Sequence, residues 1–356
     1  MKILFIYQYL GLGGVEAILA ARFRGLLRRG VEVAGLFLDN RGGQPLFEGI
    51  ESTLMLPASP LDAIDLVRGY RPDVLITLDT PSALDIARTM PVPPPLVYEV
   101  HTTYPASLRP LEKSAVINQI NQLIVPSAWQ RQMVRELIPN SAMDIEIVPN
   151  ALEERFFQPA PPQQKPLRPI VAWVGRLDNL KNWRAFVQIA AALNEQQVNA
   201  EFWIVGGLHS PVEDQNLLWR LMVKNNLLER LRWLPAVPPE QMPRMLHRVR
   251  QSGGCVVSTS RKESFGMSIL EAMACGCAVV VPQGGALEEL AGKQERGLTY
   301  PLDQNEAACR QVVRLLNEPG LRDRLGEAGA EFARRYTVDA AVEQFLQAIS
   351  HLKAAP

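Results

Sequence analysis

Short apolar runs alternate with longer amphipathic stretches along almost the whole chain. Residues 3–7, Ile-Leu-Phe-Ile-Tyr, are apolar without interruption, as in a strand buried on both faces. A glycine loop, Gly11-Leu12-Gly13-Gly14, comes next. Residues 15–29 then carry helical periodicity, closed by Gly30 in the position that favours a left-handed backbone. Further strand signals fall at 31–38, 74–78, 96–100, 123–125 and 145–148. Strand–helix alternation with short connections predicts a parallel sheet covered on both faces.

At 158–166 the pattern breaks into a proline- and glutamine-rich stretch without apolar periodicity, which reads as a linker. The alternation restarts beyond it. Strand signals lie at 170–174, 201–205, 231–234, 255–257 and 278–281, with helical stretches at 183–193, 217–225, around Glu271 and beyond 281 to the end. The prediction is an α/β chain of two Rossmann-like, doubly wound parallel-sheet domains, 1–158 and 166–337, facing a cleft. In such sheets ligands bind outside the carboxyl ends of the strands.

Composition narrows the function classes. With 37 basic and 37 acidic residues among 356, the chain lacks the excess of positive charge expected of a nucleic-acid binder. No apolar run reaches bilayer-spanning length. The opening apolar stretch is short and ends at Gln8 without a small-residue cleavage site, so it reads as a strand, not a signal peptide. Cys255, Cys275, Cys277 and Cys309 sit in apolar contexts without zinc-type spacing and read as reduced core thiols, which points to the cytoplasm.

The candidate chemistry lies at predicted strand ends. Glu263 and Glu271 flank a loop that contains Gly266 and leads, through Met267 and Ser268, into a helix whose first turn is expected to carry Glu271. Helix starts attract phosphate through unpaired N–H donors and the helix dipole, and carboxylates accept bonds from paired hydroxyls. Such a stretch suits a sugar joined to a phosphorylated nucleoside. Gly175, Arg176 and Lys181 follow the 170–174 strand, where two fixed cations would neutralise a diphosphate. The loop Gly11-x-Gly13-Gly14-x-Glu16 allows backbone to approach a phosphate or sugar. A dinucleotide fingerprint wants glycine where Glu16 stands, although Asp39 lies where a ribose-binding acid would. His101, Ser127 and Asn150 end three further strands, and each has a structural reading beside the functional one. No Asp-x-Asp and no His/Asp/Glu cluster suggests a divalent metal.

Taken in order, these motifs resemble the retaining glycosyltransferases of family 4, which have the two-domain GT-B fold. The resemblance rests on Glu263 to Glu271 as an E-x7-E region and on Val174-Gly175-Arg176-Leu177 with Lys181. Gly13-Gly14-Val15-Glu16 and Val148-Pro149-Asn150 extend it. It implies that Glu271 holds ribose hydroxyls, Arg176 and Lys181 grip the diphosphate, and Gly266, Met267 and Ser268 present backbone donors. Glu263 and His101 would be the catalytic-site residues, with Gly13 and Gly14 closing over the sugar and 233–237 near the base. It further implies metal-independent transfer with retention, no cofactor beyond the nucleotide-diphosphate sugar as co-substrate, and a C-terminal helix near 338–352 returning to the first domain. The acceptor would be a glycan or a lipid-linked molecule. Arg22, Arg24, Arg28 and Arg29 on one helix would suit an anionic acceptor or the inner membrane face, or form a solvated basic surface. Ala151, Glu153 and Asn182 depart from the family pattern without removing a proposed ligand group. A nucleotide-sugar epimerase, a phosphorylase-like enzyme, an NAD-dependent oxidoreductase and a degenerate binding protein are the competing readings.

Overall fold

The computed structural model describes residues 1–159, 164 and 166–352. Residues 160–163 and 165 of the expected linker lie outside the described residues. The chain divides into two compact units, Met1–Glu153 together with the segment from Tyr336 onward, and Glu154–Arg335. Each is built on one parallel sheet.

The first sheet contains β1 (Lys2–Leu10), β2 (Glu32–Asn40), β3 (Thr53–Met55), β4 (Val74–Leu78), β5 (Leu96–Glu99), β6 (Gln122–Val125) and β7 (Ile145–Ile147), in the order β3-β2-β1-β4-β5-β6-β7. The second contains β8 (Ile170–Val174), β9 (Glu201–Val205), β10 (Leu231–Leu234), β11 (Cys255–Val257), β12 (Ala278–Pro282) and β13 (Leu298–Tyr300), in the order β10-β9-β8-β11-β12-β13. Central strands such as β4 and β12 are buried at every position, which is why they read as unbroken apolar runs. The sequence pattern missed β3 and β13, three-residue strands at the edges of their sheets.

Strand order reverses direction at two places, between β1 and β4 and between β8 and β11. There the following helices diverge to opposite faces and leave a crevice at the strand carboxyl ends.

The helix Val338–Ile349 belongs to the first unit, and Val338, Val342, Phe345 and Ile349 join the core formed by Phe5, Phe23 and Phe37. It packs on the helix Gly14–Arg28 at Gly25, where an added Cβ would stand 2.7 Å from Val342 Cγ2. Only glycine permits that approach.

The expected basic face on the first helix is not an open one. Arg22 is buried and paired with Glu99, Arg24 donates to the Leu46 carbonyl, and Arg28 and Arg29 bond the Asp339 carboxylate and carbonyl. Arg22 is thus part of the core, while Arg28 and Arg29 remain on the exposed surface beside the helix Val338–Ile349. Among the described residues no helix is long and apolar enough to cross a membrane. All four cysteines are free and buried, and burial pushes the Cys255 and Cys277 thiols up to about 12.

Candidate functional site

The loops after β8 and β11 meet at the switch point of the second sheet. Three main-chain ties bring them together. Arg261 N donates to Leu180 O at 2.8 Å, and Thr259 Oγ1 donates to the carbonyls of Lys181 and Asn182 at 3.1 and 2.9 Å. Trp173 Nε1, from β8, donates in turn to Thr259 Oγ1 at 2.9 Å. The Gly175–Asn182 loop is also self-braced, since Asp178 accepts Lys181 N at 2.8 Å through one oxygen and Arg176 Nε at 3.1 Å through the other. Gly175 is required here because a Cβ would lie 2.9 Å from the Trp173 ring.

This lacing carries Lys181 Nζ to 2.5 Å from Glu263 Oε1. The Lys181 and Glu263 side chains retain 24% and 14% exposure, so the pair is shielded yet reachable. Arg176 is different. Its side chain is 68% exposed and, among the described residues, pairs within its own loop through Asp178. The two cations therefore share a loop but not an environment.

Gly266 ends the β11 loop at φ +99°, a backbone that side chains rarely adopt, and an added Cβ would stand 2.5 Å from Leu287 Cδ2. The helix Met267–Ala274 starts immediately after it. Ile269 and Leu270 turn inward, while Met267, Ser268 and Glu271 share the half-buried outer face at i, i+1, i+4 spacing. Glu271 thus lies in the second turn. The first-turn placement expected from sequence is corrected, because the left-handed Gly266 delays the helix start to Met267.

In the first unit, the glycine loop opens the helix Gly14–Arg28 with Gly13 as its N-terminal cap. The Glu16 carboxylate folds back beneath the loop and accepts Gly11 N at 2.9 Å. A Cβ at Gly13 would meet Glu16 Oε2 at 2.5 Å. The Glu16 carboxylate therefore lies beside the glycine loop at the start of this helix. Asp39 is the last residue but one of β2, as expected, and pairs with Arg41 at 2.8 Å.

His101 follows β5, two residues after Glu99, so strand alternation puts both side chains on one face. His101 Nε2 lies 2.8 Å from Glu99 Oε2, and His101 N donates to Asp79 Oδ1 at 3.0 Å. Glu99 is fully buried. Burial alone would raise its pKa, but the Arg22 guanidinium and His101 outweigh it and hold the carboxyl below its ordinary range. Asp79, left-handed at φ 46°, has its carboxyl pushed up to about 6 by desolvation, against the pull of His101 and two backbone N–H groups. Asn150 is buried after β7, and Ser127 caps the helix Ala128–Leu137 by accepting Gln130 N at 3.0 Å. The cap is Ser127's structural role.

Asp79, Glu99, Asp178 and Thr259 escaped the sequence reading, and Arg22 was read only as part of a basic helix face. One signal was present: Glu99 is a charge inside the otherwise apolar run Leu96-Val97-Tyr98-Glu99-Val100. A charge in a central strand needs a partner, but the partner, Arg22, is 77 positions away.

Residues 154–332, half of the chain, match the family described as Glycosyl transferases group 1. The chain belongs to that family. Residues 12–155 match the companion description, Glycosyltransferase Family 4. Among curated relatives, the D-inositol 3-phosphate glycosyltransferase of Corynebacterium efficiens is 29% identical over 177 residues, 49% of this chain and 41% of that protein. The chain thus spans less than half the length of that relative. Among solved structures, sucrose-phosphate synthase from Thermosynechococcus elongatus superposes with a TM-score of 0.80 at 17% identity, covering 99% of both chains. Anabaena HepE in complex with UDP and glucose gives 0.81 at 18%, covering 99% of this chain and 100% of that one. At such identities the likeness speaks to fold, and the fold is GT-B.

Proposed function

We propose that this chain is a metal-independent, retaining glycosyltransferase that moves a hexosyl group from a nucleotide-diphosphate sugar to a glycan or lipid-linked acceptor in the cytoplasm. The observation that carries this reading is the shielded Lys181–Glu263 pair at the switch point of the second sheet, beside the start of the helix Met267–Ala274. A cation and a carboxylate in contact there offer one group to a diphosphate and one to the sugar attached to it.

In this reading Lys181 and the more exposed Arg176 neutralise the departing diphosphate, helped by the N–H groups of Met267 and Ser268 beyond Gly266. Glu271, on the same outer face, takes the ribose hydroxyls. Glu263 faces the sugar near its reacting carbon. The bond from the anomeric carbon to phosphate oxygen breaks, and one to the acceptor oxygen forms on the same face. The acceptor proton passes to the leaving phosphate. Preorganised charges of this kind contribute several kcal/mol to such a step. His101 is the sugar-contacting residue of the first unit, and the Gly13–Gly14 loop, with Glu16 beneath it, suits an uncharged hydroxylated ligand. No cofactor enters the scheme. UDP is the favoured nucleotide because the solved HepE neighbours hold UDP and UDP-glucose.

A screen of UDP-, GDP- and ADP-sugars by thermal shift, followed by donor hydrolysis, identifies the donor. With it, Glu263→Ala should abolish turnover while nucleoside diphosphate still binds; full activity in that variant would sink the assignment. Loss of activity in EDTA, restored by Mg²⁺ or Mn²⁺, would overturn metal independence.

A further inference from the structure

The first unit holds a buried chain of side chains, Arg22, Glu99 and His101, of which the proposed transfer uses only His101. Arg22 Nη1 meets Glu99 Oε1 at 2.5 Å, and Glu99 Oε2 meets His101 Nε2 at 2.8 Å. The three side chains are 6%, 0% and 4% exposed. The Arg22 guanidinium also lies over the Phe345 ring, 4.6 Å from its centroid. The other titratable group facing His101 is Asp79, from the loop after β4, which accepts the His101 main-chain N–H. The Thr102 carbonyl, next in the chain, accepts Gln130 Nε2 at 2.7 Å. Ring and backbone of His101 are thus both held. One atom is not: His101 Nδ1 is buried without a hydrogen-bond partner among the described residues.

A buried ion pair is a poor source of stability, because desolvation of both charges offsets their attraction. Its presence in a central strand asks for another reason. A carboxylate ion is an acceptor only, so the ring nitrogen that faces it must carry a proton. In neutral imidazole the lone pair is then confined to the other nitrogen. We propose that Glu99, paired with Arg22, is a positioning residue that fixes the tautomer of His101, so that Nδ1 is the nitrogen offered to a substrate hydroxyl. This rests on the reading of His101 as a sugar-contacting group. Arg22 supplies the countercharge that keeps Glu99 an acceptor, and Asp79 holds the turn in which the ring sits. A hydroxyl donating to Nδ1 would satisfy the one open atom of the chain.

Nitrogen NMR of the imidazole at alkaline pH reads the tautomer without any ligand. The wild-type ring should show a protonated Nε2 and an unprotonated Nδ1. Glu99→Gln replaces the carboxylate by an amide that either accepts from or donates to Nε2, so a tautomer mixture should appear. Because that variant leaves Arg22 unpaired, Arg22→Met combined with Glu99→Gln provides a second one with no buried charge. With the sugar nucleotide that the wild-type protein hydrolyses in the screen above, kcat/KM in the folded variant should fall on the order of 10- to 100-fold, the usual cost of losing a histidine's orienting partner. Affinity for nucleoside diphosphate should be unchanged. An unaltered tautomer, or full activity in the double variant, overturns the proposal. His101→Ala separates the two ideas. If it is inactive while the double variant is fully active, only the positioning role fails; if it is fully active, the reading of His101 fails and the inference falls with it.

Discussion

Replacing Lys181 by methionine keeps the volume of the stem and removes the ammonium, and it should have two separable consequences. The first is on binding. Loss of one charge-assisted hydrogen bond to a diphosphate costs about 1.5–3 kcal/mol, which weakens Kd about 10- to 150-fold. The second is on stability. Glu263, whose side chain is only 14% exposed, loses the partner it holds at 2.5 Å. Leaving such a group unsatisfied costs about 1–3 kcal/mol, or about 2–4 °C of Tm per kcal/mol in a domain of this size. Calorimetry with UDP reads the first, and thermal unfolding the second. Adding Glu263→Gln to Lys181→Met removes the orphaned charge, so Tm should recover while affinity recovers at most in part. Arg176→Met is the control. That side chain is 68% exposed and, among the described residues, pairs with Asp178, so its stability cost should stay below about 0.5 kcal/mol. Wild-type UDP affinity in Lys181→Met would refute the reasoning. So would full recovery of affinity in the double variant, since Lys181 would then serve Glu263 and not the diphosphate.

Two other outcomes follow from local geometry. Asp79 has a folded-state pKa of about 6 against an ordinary 3.8. The native state therefore binds the proton more tightly, and stability from this group is present below about pH 4 and lost as pH rises to about 6, by up to ~3 kcal/mol. Asparagine tolerates the left-handed backbone at φ 46°, so Asp79→Asn should flatten this decline and raise Tm at neutral pH; an unchanged pH profile of Tm would contradict it. Gly266→Ala meets both φ +99° and a 2.5 Å approach to Leu287 Cδ2, and should destabilise by about 2–4 kcal/mol. Denaturant unfolding checks this, and a midpoint equal to wild type would show that the loop relaxes freely.

Much of the fold was legible because its strands are central and buried on both faces. The runs at 170–174, 201–205, 231–234 and 255–257 coincide with β8, β9, β10 and β11, and 74–78 with β4. Where local pattern ran out, the reason was partly geometry. The three-residue edge strands β3 and β13 went unread, although β7 and β11, of the same length, were marked by their apolar runs. The start of the helix Met267–Ala274 depends on a backbone angle at Gly266 that composition does not reveal. The first-helix arginines illustrate the opposite limit: charge alone reads as exposure, but Arg22 is buried because Glu99 waits in a strand far along the chain.

What the sequence determined by itself was the alternation of elements and the identity of the reactive groups at strand ends, since both are encoded in neighbouring residues. The tertiary structure decided which of those groups meet. Parallel pairing of β8 with β11 brings Lys181 to Glu263 across 82 positions, and pairing of β1, β4 and β5 gathers the strand ends where Glu99 meets both Arg22 and His101. Such contacts cross loops of tens of residues, whose closure is set by the sheet and leaves no mark in local pattern. The same closure left the two cations of the Gly175–Asn182 loop in unequal surroundings, one shielded and one in solvent.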